Sequence, residues 1–481
     1  MAAIEVTADP AWRPRIWHRS LTRYPERTRR TAYLAIAIGT TMVLYYELYV
    51  TGGVATLQLQ HFHMSFAYYT TFIAVSNLLG AFGALTAGVC DRFGRANFVV
   101  YGLLITGLLV TVAIPHAPDK AALAVETCLV GAVEGTVLVA TPALIRDFSP
   151  QAGRARAMGL WVLGPVFASL VVSLVATKTL PVLHSWQSQY YICGGVGLLT
   201  FAVSFLWLRE LSPQLRDQIM VSERDRLLVE ARAKGIDIEE SLRHPWRQAA
   251  KFRIVAPAFA FAVAFLMYGT LAGFGTIYFT TVFGFSLSEA NGVAVWGWVA
   301  NALICVGLGM LSDRLGVRKP IIVIAGILME VAIGLFIVIT GERPGFAVVA
   351  LAMGFLAGTL GALAGAWLAA FTETIEDINP AVTATGLAIG GWLTRLSVGA
   401  AFLILPHVVT SAGGGQTAAA TAVSQWRLWF WACLAIGFFV IPLTAVMKGR
   451  WSPAAARRDA QAHERMIAEQ LTELRHEHEE V

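Results

Sequence analysis

The chain has 481 residues, of which 56% are hydrophobic and 14% charged, with a formal net charge of +5. A soluble domain carries about 25% charged residues, so this composition excludes a water-covered globule and makes lipid the natural solvent. The basic residues lie in loops between apolar runs, which excludes a nucleic-acid-binding face, and the cysteines (Cys90, Cys128, Cys193, Cys305 and Cys433) stand singly in apolar stretches, without metal spacing or a disulfide framework.

Residues 1–31 are polar and Arg-rich, with no short apolar core of a cleavable leader, and read as a cytoplasmic tail. Twelve apolar runs follow, each near the roughly 20 residues that cross a bilayer. They lie at 32–57, 66–90, 97–115, 121–144, 156–177 and 189–208, then at 254–283, 288–312, 319–340, 345–372, 382–407 and 426–447. The fold class predicted is an all-α membrane protein of twelve transmembrane helices in two six-helix halves, 32–208 and 254–447. Residues 209–253 between them are rich in both charges and read as one or two surface helices on the cytoplasmic side. In the tail at 448–481, Ser452-Pro453 is a helix-start signal, and Ile467, Leu471 and Leu474 form an apolar stripe. With the N-terminus inside, every Lys and Arg except Lys120, Lys178, Arg343, Arg395 and Arg427 falls in a cytoplasmic segment. That asymmetry predicts a multi-pass protein of the cell (inner) membrane with both termini cytoplasmic.

A loop is duplicated. After span 2 the chain reads Ala87-Gly-Val-Cys-Asp91-Arg92-Phe-Gly94-Arg95, and after span 8 Gly309-Met-Leu-Ser-Asp313-Arg314-Leu-Gly316-Val-Arg318. A weaker echo joins Ser149-Pro150 before span 5 to Asn379-Pro380 before span 11. Parallel six-span repeats mark carriers that rock two halves about a central site. On these motifs the chain resembles the major facilitator superfamily from about residue 32 to 447, with proton-coupled bacterial carriers of metabolites and organic anions as its type. The first loop departs from the family pattern, with Ala87 at the leading Gly position. The resemblance implies that Asp91, Arg92, Gly94 and Arg95, with Asp313, Arg314, Gly316 and Arg318, form a conformational gate on the cytoplasmic side. Gly164-Pro165 in span 5 looks like the Gly-Pro motif of the family's antiporters, but Ala168-Ser169 replaces the usual terminal Gly pair and a simple proline kink is the favoured account.

Charged groups in mid-membrane are costly, so Glu47, Glu134, Glu330 and Arg395 stand out. The resemblance places spans 1, 4, 7 and 10 around the central path, with 2, 5, 8 and 11 beside them. It thereby makes Glu47, Glu134 and Arg395 path residues and Glu330 peripheral. Glu47 and Glu134 are the candidates for proton coupling; a structural ion pair between Glu134 and Arg395 is the alternative. The family often carries an Arg one turn before the span-4 Gly, and Gly131 stands there instead. Arg395 is a bidentate partner for a carboxylate, with Tyr45, Tyr46, Tyr49, Tyr268, Trp296, Trp298 and Asn301 as candidate walls of a substrate site. His61, His63 and His407 form no metal set, no ATP-binding loop occurs, and no cofactor is implied. The expectation is a monomeric secondary transporter in the lipid bilayer, taking up a small organic anion with protons. A proton-coupled efflux antiporter for amphipathic compounds is the alternative, and a non-transporting receptor the alternative of another class. No clustered nucleophile or metal set supports an enzyme.

Overall fold

A computed structural model of the chain describes residues 19–83, 90, 93–149, 151–216, 236, 238–342, 344–410, 416–444, 446–455 and 458. The first half contains α1 (Arg27–Gly53), α2 (Ala55–His61), α3 (Phe66–Gly83), α4 (Arg95–Leu108), α5 (Lys120–Phe148), α6 (Gln151–Val162), α7 (Gly164–Leu183) and α8 (Trp186–Trp207). After the short α9 (Ile238–Arg243) and α10 (Pro245–Ala249), the second half contains α11 (Phe252–Phe283), α12 (Leu287–Leu315), α13 (Lys319–Ile339), α14 (Phe346–Ile378), α15 (Thr383–Val408), α16 (Gln416–Gly437) and α17 (Val440–Thr444). Among the described residues, eleven segments are long and apolar enough to cross a membrane. The remaining span is α3, whose predicted continuation lies outside the described residues. Twelve spans in two repeats is therefore the architecture. The last span starts at Gln416, ten residues before its predicted start at 426. Polar Gln416, Thr417 and Thr421 hide this first part from a reading of apolar runs.

Large apolar side chains such as Val182, Leu303 and Leu351 point outward, each more than two-thirds exposed. That inversion of the soluble pattern fits a lipid-facing surface. Small residues let helices meet inside. A Cβ on Gly131 or Gly135 of α5 would run into Ser76 or Gly80 of α3, so these helices touch backbone to backbone.

The first described residues, the described part of the link between halves and the stretch after α17 share one end of the bundle, here the linker end. Its order comes from an unforeseen element: strand β1 (Ser20–Leu21) pairs in parallel with β2 (Glu210–Leu211). Buried Arg19 holds the clasp, donating to Asn97 Oδ1 at 3.1 Å and the Phe205 carbonyl at 2.7 Å. Between the halves, the described part of 209–253 is β2 and short helices, and 217–235 lies outside the described residues. Ile467, Leu471 and Leu474 lie outside them too.

Candidate functional site

Backbone geometry shows why the duplicated loop carries Gly. Gly94 and Gly316 have φ of +95° and +66°, a region costly for other residues. Gly94 also faces the Glu210 carboxylate so closely that a side chain there has no room. One residue on, Arg95 donates Nη1 to both oxygens of buried Asp147, at 2.9 and 2.8 Å. In the second copy Arg318 donates to Asp313 at 2.6 Å and Glu373 at 3.1 Å. Burial works against its charge, but these two carboxylates prevail and raise the pKa of Arg318. Arg314 is exposed, and Asp91 and Arg92 lie outside the described residues. The ion pairs of these loops between described residues thus stay within one half.

The hydrogen bonds across the halves, among the described residues, cluster at the opposite, far end. There α1 ends at Gly53 and α2 begins at Ala55, and the last two carbonyls of α1 accept from the second half. Thr276 Oγ1 of α11 donates to Gly52 at 2.8 Å, and Asn291 Nδ2 of α12 donates to Gly53 at 3.0 Å. Ser288 Oγ donates to the Thr177 carbonyl at 2.8 Å. The pair Gly52-Gly53 lets α1 come this close: a Cβ on Gly52 would stand 3.5 Å from the Ala272 and Gly273 carbonyls.

Below this latch lies a cavity of about 310 Å³ between the halves. Helical phase decides who lines it. From α1 come Tyr45, Leu48, Tyr49 and Gly52; from α3, Ile73, Ser76, Asn77 and Gly80; from α5, Thr127, Gly131, Glu134 and Leu138. The second half contributes Phe265, Tyr268, Trp298, Thr394, Arg395 and Phe402. Tyr268 and Trp298 meet edge to face, with centroids 5.4 Å apart. Arg395 is exposed to the cavity, and it makes no hydrogen bond or ion pair among the described residues. Glu134 is 2% exposed, with Oε1 unpartnered. The structural ion pair between these two is therefore not made in this conformation.

Four predicted site residues lie elsewhere. Tyr46 and Glu47 are buried on the other side of α1, toward α8. Trp296 is 58% exposed on the outer face of α12. Asn301 donates Nδ2 to the Ala357 carbonyl at 2.7 Å and ties α12 to α14. Asn77 and Thr394 were missed; each is in phase with cavity-lining residues one turn away, Ile73 and Gly80 for Asn77 and Val398 for Thr394. Helix α6 ends at Val162, and α7 restarts at Gly164 with Pro165 on the cavity wall. Gly131 explains its own departure from the family pattern: an Arg side chain there would have to pass through Ser76.

No curated protein matches the sequence. The solved structures of a bacterial homologue of the human lysosomal transporter Spinster are similar in fold. In its inward-facing, unoccupied form the TM-score is 0.65 at 16% identity, covering 89% of this chain and 100% of that one. The occupied inward-facing form gives 0.63 at 17% identity, covering 90% and 98%. A D-xylose–proton symporter gives 0.66 at 15% identity, covering 88% of this chain and 98% of that one. The profile of the Major Facilitator Superfamily matches residues 37–388. With that match across most of its length, the chain belongs to the Major Facilitator Superfamily and is a transporter, not an enzyme.

Proposed function

We propose that this transporter carries a small organic anion, a monocarboxylate with an aromatic or apolar body, into the cell together with a proton. The observation behind this reading is the free guanidinium of Arg395, which shares an aromatic-walled cavity with the buried Glu134. A volume of about 310 Å³ is at the small end of ligand pockets. Its tyrosine, tryptophan and phenylalanine walls suit a flat apolar body, with Asn77 and Thr394 as polar tips.

Charge counting supplies the coupling. An empty cavity holding Arg395⁺ and Glu134⁻ is neutral. So is a loaded one, in which Glu134 carries a proton and Arg395 the carboxylate. Anion alone leaves one net negative charge, and proton alone one net positive charge. Closing a low-dielectric site around an unbalanced charge costs several kcal/mol, so the half-loaded forms close rarely and the two solutes move together. The distribution of Lys and Arg favours cytoplasmic termini in the cell membrane. The latch end is then outside, and the cavity faces inward.

The test is uptake of labelled benzoate and related acids into proteoliposomes under an inward proton gradient. Accumulation is expected in the wild type and is lost in Arg395→Ala. Glu134→Gln mimics the protonated acid, so it keeps exchange of internal for external substrate but loses net accumulation. Undiminished proton-driven accumulation in Glu134→Gln refutes the coupling. A second reading, proton-driven efflux of amphipathic compounds, is favoured by the break at Gly164-Pro165 on the cavity wall. It predicts the opposite substrate flow under the same gradient.

A further inference from the structure

A second polar seam runs behind α1, away from the central cavity. Along α8, Tyr190, Gly194 and Gly197 share one face at i, i+4 and i+7. Tyr190 donates to Thr51 Oγ1 at 2.9 Å and accepts from Gln58 Nε2 at 2.9 Å. Gly194 abuts the hydroxyl of Thr111, in a π-helical turn at Leu109–Ala113. Gly197 abuts the Glu47 carboxyl, with Thr106 of α4 beside it. Gln58 and Tyr190 are fully buried and Glu47 is 2% exposed. Gln58 Oε1, Thr111 Oγ1 and both oxygens of Glu47 have no hydrogen-bond partner among the described residues. Buried polar atoms are seldom left unpaired, and π-turns cluster at functional sites. Four such atoms in one interhelical seam call for a common account.

We propose that Glu47 is a proton-binding site separate from the substrate cavity, reached from the far end along this seam through Gln58, Tyr190 and Thr111. The ionisable groups around Glu47 are Tyr46 on its own helix, Cys193 on α8 and Glu134 on α5; α4 presents none, and no cation faces it among the described residues. A packed seam without a cation holds the neutral acid, and a carboxylate there draws in water and parts α1 from α8. Helix α1 also carries the Gly52 and Gly53 carbonyls of the latch, about one and a half turns further on. Protonation of Glu47 thus seats α1 for latch closure, and its loss releases it. The inference rests on the proton-coupled reading above but uses a different carboxyl, so the two can fail separately.

Infrared difference spectra of the purified full chain between low and high pH test it. A protonated-carboxyl band that bleaches on raising the pH is expected, absent in Glu47→Gln and shifted in Gly197→Ala. Gly195→Ala, which meets nothing within 4 Å, leaves it unchanged. Tyr190→Phe slows its exchange in heavy water. Spin labels at Val182 and Val348, exposed on α7 and α14, separate as the pH rises in the wild type but not in Glu47→Gln. If Glu47→Gln retains every carboxyl band and the same pH-dependent separation, the inference falls. A band lost only in Glu134→Gln overturns it while sparing the cavity mechanism, and a band lost only in Glu47→Gln does the reverse.

Discussion

The far-end latch gives a prediction whose size follows from its hydrogen bonds. Asn291 is 1% exposed, and its amide is the donor to the Gly53 carbonyl. Thr276 serves the Gly52 carbonyl in the same way. Both carbonyls lie at the end of α1, where the helix is interrupted at Val54. Asn291→Ala leaves a buried acceptor unpaired in the closed form, whereas opening of the far end exposes it to water. The cost to the closed form is then about 1–3 kcal/mol, which shifts the closed-to-open ratio by about 5–150-fold. Thr276→Val adds a similar loss. The two act on adjacent carbonyls, so their effects need not sum.

Electron–electron distance measurements between labels at Val182 and Val348 read this directly, on a background with Cys128 and Cys305 replaced by Ala. The wild type is expected to give mainly the shorter distance, Asn291→Ala a mixture, and the double variant mainly the longer one. Ser286→Ala removes a helix cap on the same segment without touching the latch, and controls for a general loosening of α12. A double variant with the wild-type distribution refutes the idea that these hydrogen bonds hold the far end shut.

Gly135→Ala drives a methyl group into the backbone of Gly80. Overpacking of this kind costs about 1–3 kcal/mol or more, and the melting temperature in detergent is expected to fall; Gly391→Ala, with open space around it, does not lower it. At the linker end, burial raises the pKa of Glu210, against the lowering effect of the Ala96 and Arg95 amides and of Arg216 and Arg95. A raised carboxyl contributes stability that is full below the ordinary carboxylate pKa and is lost as pH rises through the folded value. Protection of the β1–β2 clasp from hydrogen exchange, corrected for intrinsic rate, is therefore expected to weaken over that interval, and Glu210→Gln to flatten the trend. Arg95→Ala strands Asp147, 3% exposed, without its cation. Removing one partner of a buried pair costs about 3–5 kcal/mol, so chemical denaturation should show a larger loss than Arg318→Ala, whose partners are exposed.

The architecture was legible because lipid imposes it: a run of about 20 apolar residues has few other fates, and the duplicated loop repeats even the left-handed glycine, Gly94 and Gly316. Start points were hidden where a span opens on polar residues, as at Gln416. The β1–β2 clasp was hidden because two-residue strands carry no periodic signal, and Arg19 reads as one of many basic residues in the tail. Nor does a loop motif reveal which half its arginine will pair in. Arg95 and Arg318 find acids within their own halves, Asp147 and Glu373, a choice that depends on how the halves are tilted.

For the cavity, the sequence offered residue types without the angle around each helix, and that angle decides which of them line it. Tyr45 and Tyr49 are separated by about 40° around α1, whereas Glu47 lies about 200° from Tyr45 at 100° per residue. A reading that treats Tyr45-Tyr46-Glu47-Leu48-Tyr49 as one cluster therefore merges two surfaces. The same 200° separates Trp296, facing outward, from Trp298, which meets Tyr268. The small polar residues settle the phase. Asn77 and Gly80 on α3, Gly131 and Gly135 on α5 and Gly52 on α1 mark the inward stripes, because close helix contact and a polar cavity both reject large apolar side chains. Applied first, that rule keeps Glu134 and Arg395 together and sends Glu47 to the other face. On the proposed reading, one helix then serves two carboxyls, with the substrate cavity on one side and the seam on the other, and α1 is the element through which protonation and closure would communicate.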